Sequence, residues 1–105
     1  MIRNIYILLL LSSYLIAVDY ETEIQPIFNA NCIECHGGSG GLTLTSYSTL
    51  MSGDVVIPYN GAESLLIRKL RGTASGSQMP KNQVPLDESV IQLIENWIDE
   101  GALDN

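Results

Sequence analysis

Histidine occurs once in this chain, at His36, and cysteine twice, at Cys32 and Cys35. So small an inventory excludes a good deal. Two thiols cannot build a disulfide framework of the kind that supports very small secreted domains. With His36 they make three ligands, one short of the four that a structural zinc takes. No free nucleophile stands beside a base, so no catalytic pair is visible. Basic residues are scarce too, five against twelve acids, for a formal charge of −7. That balance argues against nucleic acid or an anionic membrane as natural partner. No alternating strand pattern, internal repeat or low-complexity tract beyond a run of glycines is present. The 105 residues leave room for one small domain.

What is there concentrates in Cys32-Ile33-Glu34-Cys35-His36. C-x-x-C-H is the attachment signature of c-type haem. Two cysteines three apart, on a turn leaving a helix, can present both sulfurs to one edge of a porphyrin and add across its vinyl groups. The adjacent His36 is then held with an imidazole nitrogen toward the iron, as a proximal ligand. Competing readings are weaker. A redox disulfide of the thioredoxin kind needs a βαβ context, and the flanks here read as helix and then glycine loop. A structural disulfide across so short a gap gives little closure entropy.

The start of the chain supports the haem reading. Met1-Ile2-Arg3-Asn4 is a short basic opening, and Ile5 to Ile16 has the length of a signal-peptide core. A transmembrane helix needs about 20 apolar residues. We expect a signal peptide over 1–17 with cleavage after Ala17, or else an uncleaved membrane anchor, since Leu15 is bulky for a cleavage site. No cysteine lies near enough for a lipid anchor. Export to the bacterial periplasm follows, on the side of the membrane where haem c is attached. Loss of Arg3 with the leader leaves four cations against twelve acids, a formal −8. So short a chain usually needs a staple, and the haem would be it.

Periodicity predicts an all-α fold. Thr22 and Gln25 have capping-box spacing, Pro26 suits a first helical turn, and the helix should run to about Asn31 and deliver Cys32. Phe28 shares the face of Cys32, as a candidate contact for the haem or the C-terminal helix. After Gly37–Gly41, Ser46 to Met51 reads as a short helix with Tyr47, Leu50 and Met51 on one side. Pro58–Gly61 is a turn, and Asn60 is positioned to cap a helix carrying Leu65, Leu66 and Ile67 inward to about Gly72. Thr73 to Leu86 reads as a loop. Asp87 should cap the longest helix, with Val90, Ile91, Ile94, Trp97 and Ile98 on one face, closed by Gly101.

With one histidine, bis-histidine ligation is impossible. Another side chain, a small molecule or nothing must fill the sixth position on iron. Met79 is the best protein candidate, an apolar residue in a polar loop, with its backbone biased to extended conformations by Pro80 and carrying a soft thioether. Its alternative role is to plug the edge of the core. Met51 falls on a helical face and reads as packing. Tyr47, Tyr59 and Trp97 read mainly as packing, with haem contact as the alternative. Arg68, Lys69 and Arg71 read as solvated surface, or as charge facing a propionate or a partner.

Three pieces resemble a class I c-type cytochrome: Gln25-Pro26-Ile27-Phe28 with Cys32 to Gly37, then Met79-Pro80, then Trp97 to Ala102. Gly40-Gly41-Leu42, Ser46-Tyr47, Val56-Ile57-Pro58 and Ser64-Leu65-Leu66 narrow the resemblance to the small planctomycete-type cytochrome c modules, across residues 19–105. It implies a cytochrome c-like fold of about four short helices around one covalently bound haem. It also implies Cys32 and Cys35 as thioether donors and His36 and Met79 as axial ligands. The departure is at Tyr59-Asn60, where glycine commonly follows the proline, in a loop expected beside the haem. Together these readings give an exported monohaem electron carrier, not an enzyme, working between redox proteins with a basic docking surface. The rival readings are a haem sensing or ligand-binding module with an open sixth position, and a membrane-anchored haem subunit of a larger complex.

Overall fold

The computed structural model describes residues 17–37 and 42–105, apart from the side chains of Glu34 and Cys35. The expected leader therefore lies, but for Ala17, outside the described residues, as does most of the glycine loop. No helix among the described residues is long and apolar enough to cross a membrane.

The chain is helical, with no strand among the described residues. A wide π-helical turn, Tyr20–Ile24, runs straight into α1 (Gln25–Asn31). There follow α2 (Ile33–His36), α3 (Tyr47–Ser52), α4 (Leu65–Arg71) and α5 (Glu88–Asp99). The all-α, cytochrome c-like expectation stands.

The first helical segment starts earlier than its capping-box spacing suggests. Asp19, not Thr22, is the cap: its Oδ1 accepts from the Thr22 amide at 3.0 Å, and Glu23 Oε2 accepts in return from the Asp19 amide at 2.7 Å. The Thr22 hydroxyl is itself spent on Asp19. The Gln25 amide then reaches back to the Tyr20 carbonyl, which widens the turn. Pro26 enters the first turn of α1, where an absent N–H leaves nothing unsatisfied. Cys32 breaks the helix with φ −126°, yet the hydrogen bonds Cys32 N–H to Phe28 and His36 N–H to Cys32 keep the direction. The motif thus leaves a helix on a turn, as its chemistry requires.

Two other caps differ from expectation. Ser46 caps α3 with a full capping box to Thr49. Asn60 caps nothing, because α4 begins only at Leu65. The fully buried Ser64 instead donates to the Asn60 carbonyl and accepts from Ile57 N–H. Asp87 occupies the cap position of α5 without a side-chain bond there.

The core lies where α5 crosses the π-helical turn. Trp97 packs against Tyr20 at 5.0 Å between ring centroids, and Tyr47 meets both edge-on. Tyr47 donates to the Ala102 carbonyl and Trp97 to that of Leu103, so both amphipathic rings are satisfied. Ile24, Phe28, Leu50, Ile67, Ile94 and Ile98 are all buried around them. Each such side chain contributes about 1.5–3 kcal/mol by leaving water, and this side of the molecule carries the packing. Phe28 faces it. Tyr59 is 73 % exposed, and its φ of +70° is the left-handed backbone that glycine adopts freely, which explains the glycine usual there. Its amide bonds to Ile98 and its ring lies on Gly101, so this loop sits against the end of α5 and not beside the expected haem site.

Candidate functional site

On the other side of α1 and α4, away from the Trp97 cluster, is a cleft of about 400 Å³, within the range of sites that bury a small molecule or cofactor. Cys32 and His36 line it from the end of α1 and from α2, and Met79 lines it from the loop after α4. Residues far apart in the chain are thus brought to one space. Met51 is not among the lining residues and packs on the core, the division its helical spacing predicts. The side chain of Cys35 lies outside the described residues; its backbone belongs to α2.

His36 is oriented by the segment that follows the glycine loop. Its Nδ1 lies 2.9 Å from the Leu42 carbonyl oxygen. A carbonyl only accepts, so Nδ1 carries the proton and Nε2 keeps its lone pair in the neutral ring, the tautomer a metal ligand needs. The Leu44 amide donates to the His36 carbonyl at 2.8 Å, closing a second link. Leu42 and Leu44 also line the cleft. A backbone carbonyl carries no side-chain signature, so sequence reasoning quoted Leu42 without seeing its task.

Met79 is ordered by the end of α4. Gly72, with φ +75°, turns the chain back, and Met79 N–H then bonds to the Lys69 carbonyl at 3.0 Å. Gln78 Nε2 donates to the Leu70 carbonyl, and Lys69 Nζ to that of Ser75. The thioether is half-buried at the cleft while Gln78 beside it is exposed.

The electrostatics of the cleft oppose those of the chain. No described acid lines it, whereas Lys69 and Lys81 do. Arg71, grouped with Lys69 in the sequence, turns the other way. It pairs with Glu88 and Glu95 of α5, which hold its guanidinium still more firmly protonated and keep the Glu88 carboxyl below its usual range. Tyr47, Tyr59 and Trp97 do not line the cleft.

A thiol, an imidazole with a free Nε2, a thioether, leucine walls and two lysines, Lys81 and a Lys69 whose ammonium also donates to the Ser75 and Ser77 carbonyls, make up this donor set. It fits a planar apolar macrocycle that carries a metal and two carboxylates, which is what a haem is. The comparisons agree in kind. Residues 32–83 match the model of the family described as Planctomycete cytochrome C. No curated protein and no solved structure matches the chain.

Proposed function

As a planctomycete-type cytochrome c module over residues 32–83, the chain is a haem-binding c-type cytochrome, and we propose that it carries single electrons between redox proteins. In this reading Cys32 and Cys35 tether one haem, and His36 and Met79 are its axial ligands. The observation that carries it is the convergence of Cys32, His36 and Met79 on one cleft. When bound, the haem supplies a one-electron couple between ferrous and ferric iron.

The protein's own residues do the rest. Leu42 O fixes the His36 ring and its tautomer. Leu44, Leu66 and Leu70 exclude water, and with the thioether of Met79 they favour the less charged ferrous state, raising the potential. Lys69 and Lys81 are suited to the carboxylates of the group. A covalent tether keeps the carrier loaded through repeated changes of charge. Export to the periplasm, and a donor and acceptor with basic docking surfaces, belong to the same proposal and rest on the leader pattern and the acidic balance.

Met79 is where the shuttle separates from a sensing module. The ferric protein should be low-spin with a far-red sulfur-to-iron charge-transfer band. Met79→Ala should abolish that band, lower the potential and open the iron to cyanide or carbon monoxide. Met51→Ala should leave all three as they were. A Met79→Ala protein with unchanged spectrum and ligand access would replace the shuttle with the open-site reading.

A further inference from the structure

We propose that Gln25 is the positioning residue for the iron-binding imidazole, holding the Leu42–Leu44 strap against His36 through its side-chain amide. The inference rests on the reading of His36 as an iron ligand and extends it outward by one layer. Gln25 does not line the cleft and lies outside the matched residues 32–83.

The strap makes three hydrogen bonds among the described residues. Leu42 O takes the His36 ring, Leu44 N–H goes to the His36 carbonyl, and Leu44 O accepts from Gln25 Nε2 at 2.9 Å. Two of the three end on His36 itself, so among the described residues the third is the hydrogen bond that ties the strap elsewhere, beside the apolar packing of Leu42 and buried Leu44 on the core. That tie has a defined sense. Leu44 O can only accept, which turns the Gln25 NH2 toward it, and the second amide hydrogen goes to Asn29 Oδ1 at 3.0 Å. Gln25 Oε1 is left facing the Tyr20 hydroxyl, which donates to it. Tyr20 is fully buried and wedged between Trp97 and Tyr47. Burial foremost, then the charges of Asp104 and Glu21, push its hydroxyl up to about 12, so it remains a donor at any ordinary pH.

A continuous path therefore runs from the packed aromatic core through Gln25 to the strap and into the ring of His36. The strength of a histidine's outer hydrogen bond sets the basicity of the nitrogen facing the metal. Without the Gln25 bond the strap would be held to the core by apolar packing alone, which is non-directional and leaves the Leu42 carbonyl less well aimed. Its bond to the ring would weaken and the imidazole become a poorer donor.

The test uses the haem-loaded, reduced, diamagnetic protein and follows solvent exchange of the His36 Nδ1 proton by NMR, each variant against wild type at the same pH. In Gln25→Leu we expect exchange faster by about tenfold, the lower end of outer-layer effects at metal sites, and a potential shifted upward. Gln25→Glu should exchange fast at neutral pH, where a carboxylate accepts from Tyr20 but cannot donate to Leu44. Below about pH 4.3, where such a carboxyl is protonated, it should return toward wild type. Asn29→Ala, which leaves the Leu44 bond intact, should match wild type. Should Gln25→Leu not fold, the near-isosteric Gln25→Glu decides the matter by its pH dependence. Wild-type exchange in both Gln25 variants, even with lowered stability, would make Gln25 a purely structural residue and overturn the proposal. A wild-type chain that carries no haem on a denaturing gel would instead defeat the underlying ligand reading.

Discussion

Tyr20 shows how much one residue can hold together. Its ring fills the centre of the core and its hydroxyl reaches the layer around His36. Its ionisation is also coupled to folding. A tyrosine titrates near pH 10 in an unfolded chain, and here burial first and nearby carboxylates second move it to about 12. The fold prefers the protonated phenol, so its contribution is complete below pH 10. That contribution declines as pH rises between the two values and is gone above the upper one. Denaturant melts taken from about pH 9 to about pH 11.5 should therefore show wild type losing stability with a steeper slope than Tyr20→Phe. Parallel slopes would mean that the phenol ionises in the fold as it does in the unfolded chain. Nothing in the sequence marks Tyr20 for this role, since its burial depends on Trp97 and Tyr47, both distant in the chain. That Met79 would stand apart from the core methionine was legible for the opposite reason: its oddity, an apolar side chain in a polar loop, is local, and it lines the cleft.

Between elements, α4 and α5 are joined by Arg71. It forks onto Glu88 and Glu95 with a further bond to Gln92, three residues spaced along one face of α5. Glu95 is the better shielded partner, its side chain 14 % exposed against 65 % for Glu88. The bidentate contact is to exposed Glu88, whereas Glu95 takes one bond in a sheltered setting. A double-mutant cycle of Arg71→Met with Glu95→Gln should give a coupling of about 1 kcal/mol, the upper end for surface pairs, because this pair is partly shielded from water. A coupling indistinguishable from zero would show that apolar packing alone joins the helices. The helices themselves could be read from apolar spacing: Ile91, Ile94, Trp97 and Ile98 are buried as their period requires. Their starts could not. Asp19 and Thr22 are equally good caps on paper, and so are Asn60 and Ser64; short-range side-chain bonds mark the outcome, with Glu23 in one case and with Ile57 in the other. The His36 strap was hidden because backbone carbonyls do its work.

At the scale of the described residues as a whole, core and cleft share a wall: buried apolar side chains gather around Trp97, and Leu44, Leu66 and Leu70 of the same cluster line the cleft with Cys32, His36 and Met79. Joint replacement of Cys32 and Cys35 by Ala should abolish covalent haem on a stained denaturing gel. It should also leave a largely unfolded chain by far-UV circular dichroism, since domains this small bury too little without a staple. A cooperative melt in the double variant would show that the Trp97 side suffices. The charge of the molecule is uneven as well. Across the chain the formal charge is −7, yet the cleft presents Lys69 and Lys81. At distances beyond the screening length the net charge governs, and at contact the lysines do. Approach to a basic redox partner should accordingly be steered by the acids. Its second-order rate should fall as salt rises and the screening length shortens to about 10 Å at 0.1 M. A rate that instead climbs with salt would mean that the lysine rim dominates the encounter and that the true partner is acidic at its docking face. A rate indifferent to salt would point to apolar docking. Stopped-flow electron transfer with one basic and one acidic carrier, each across a salt series, separates the three.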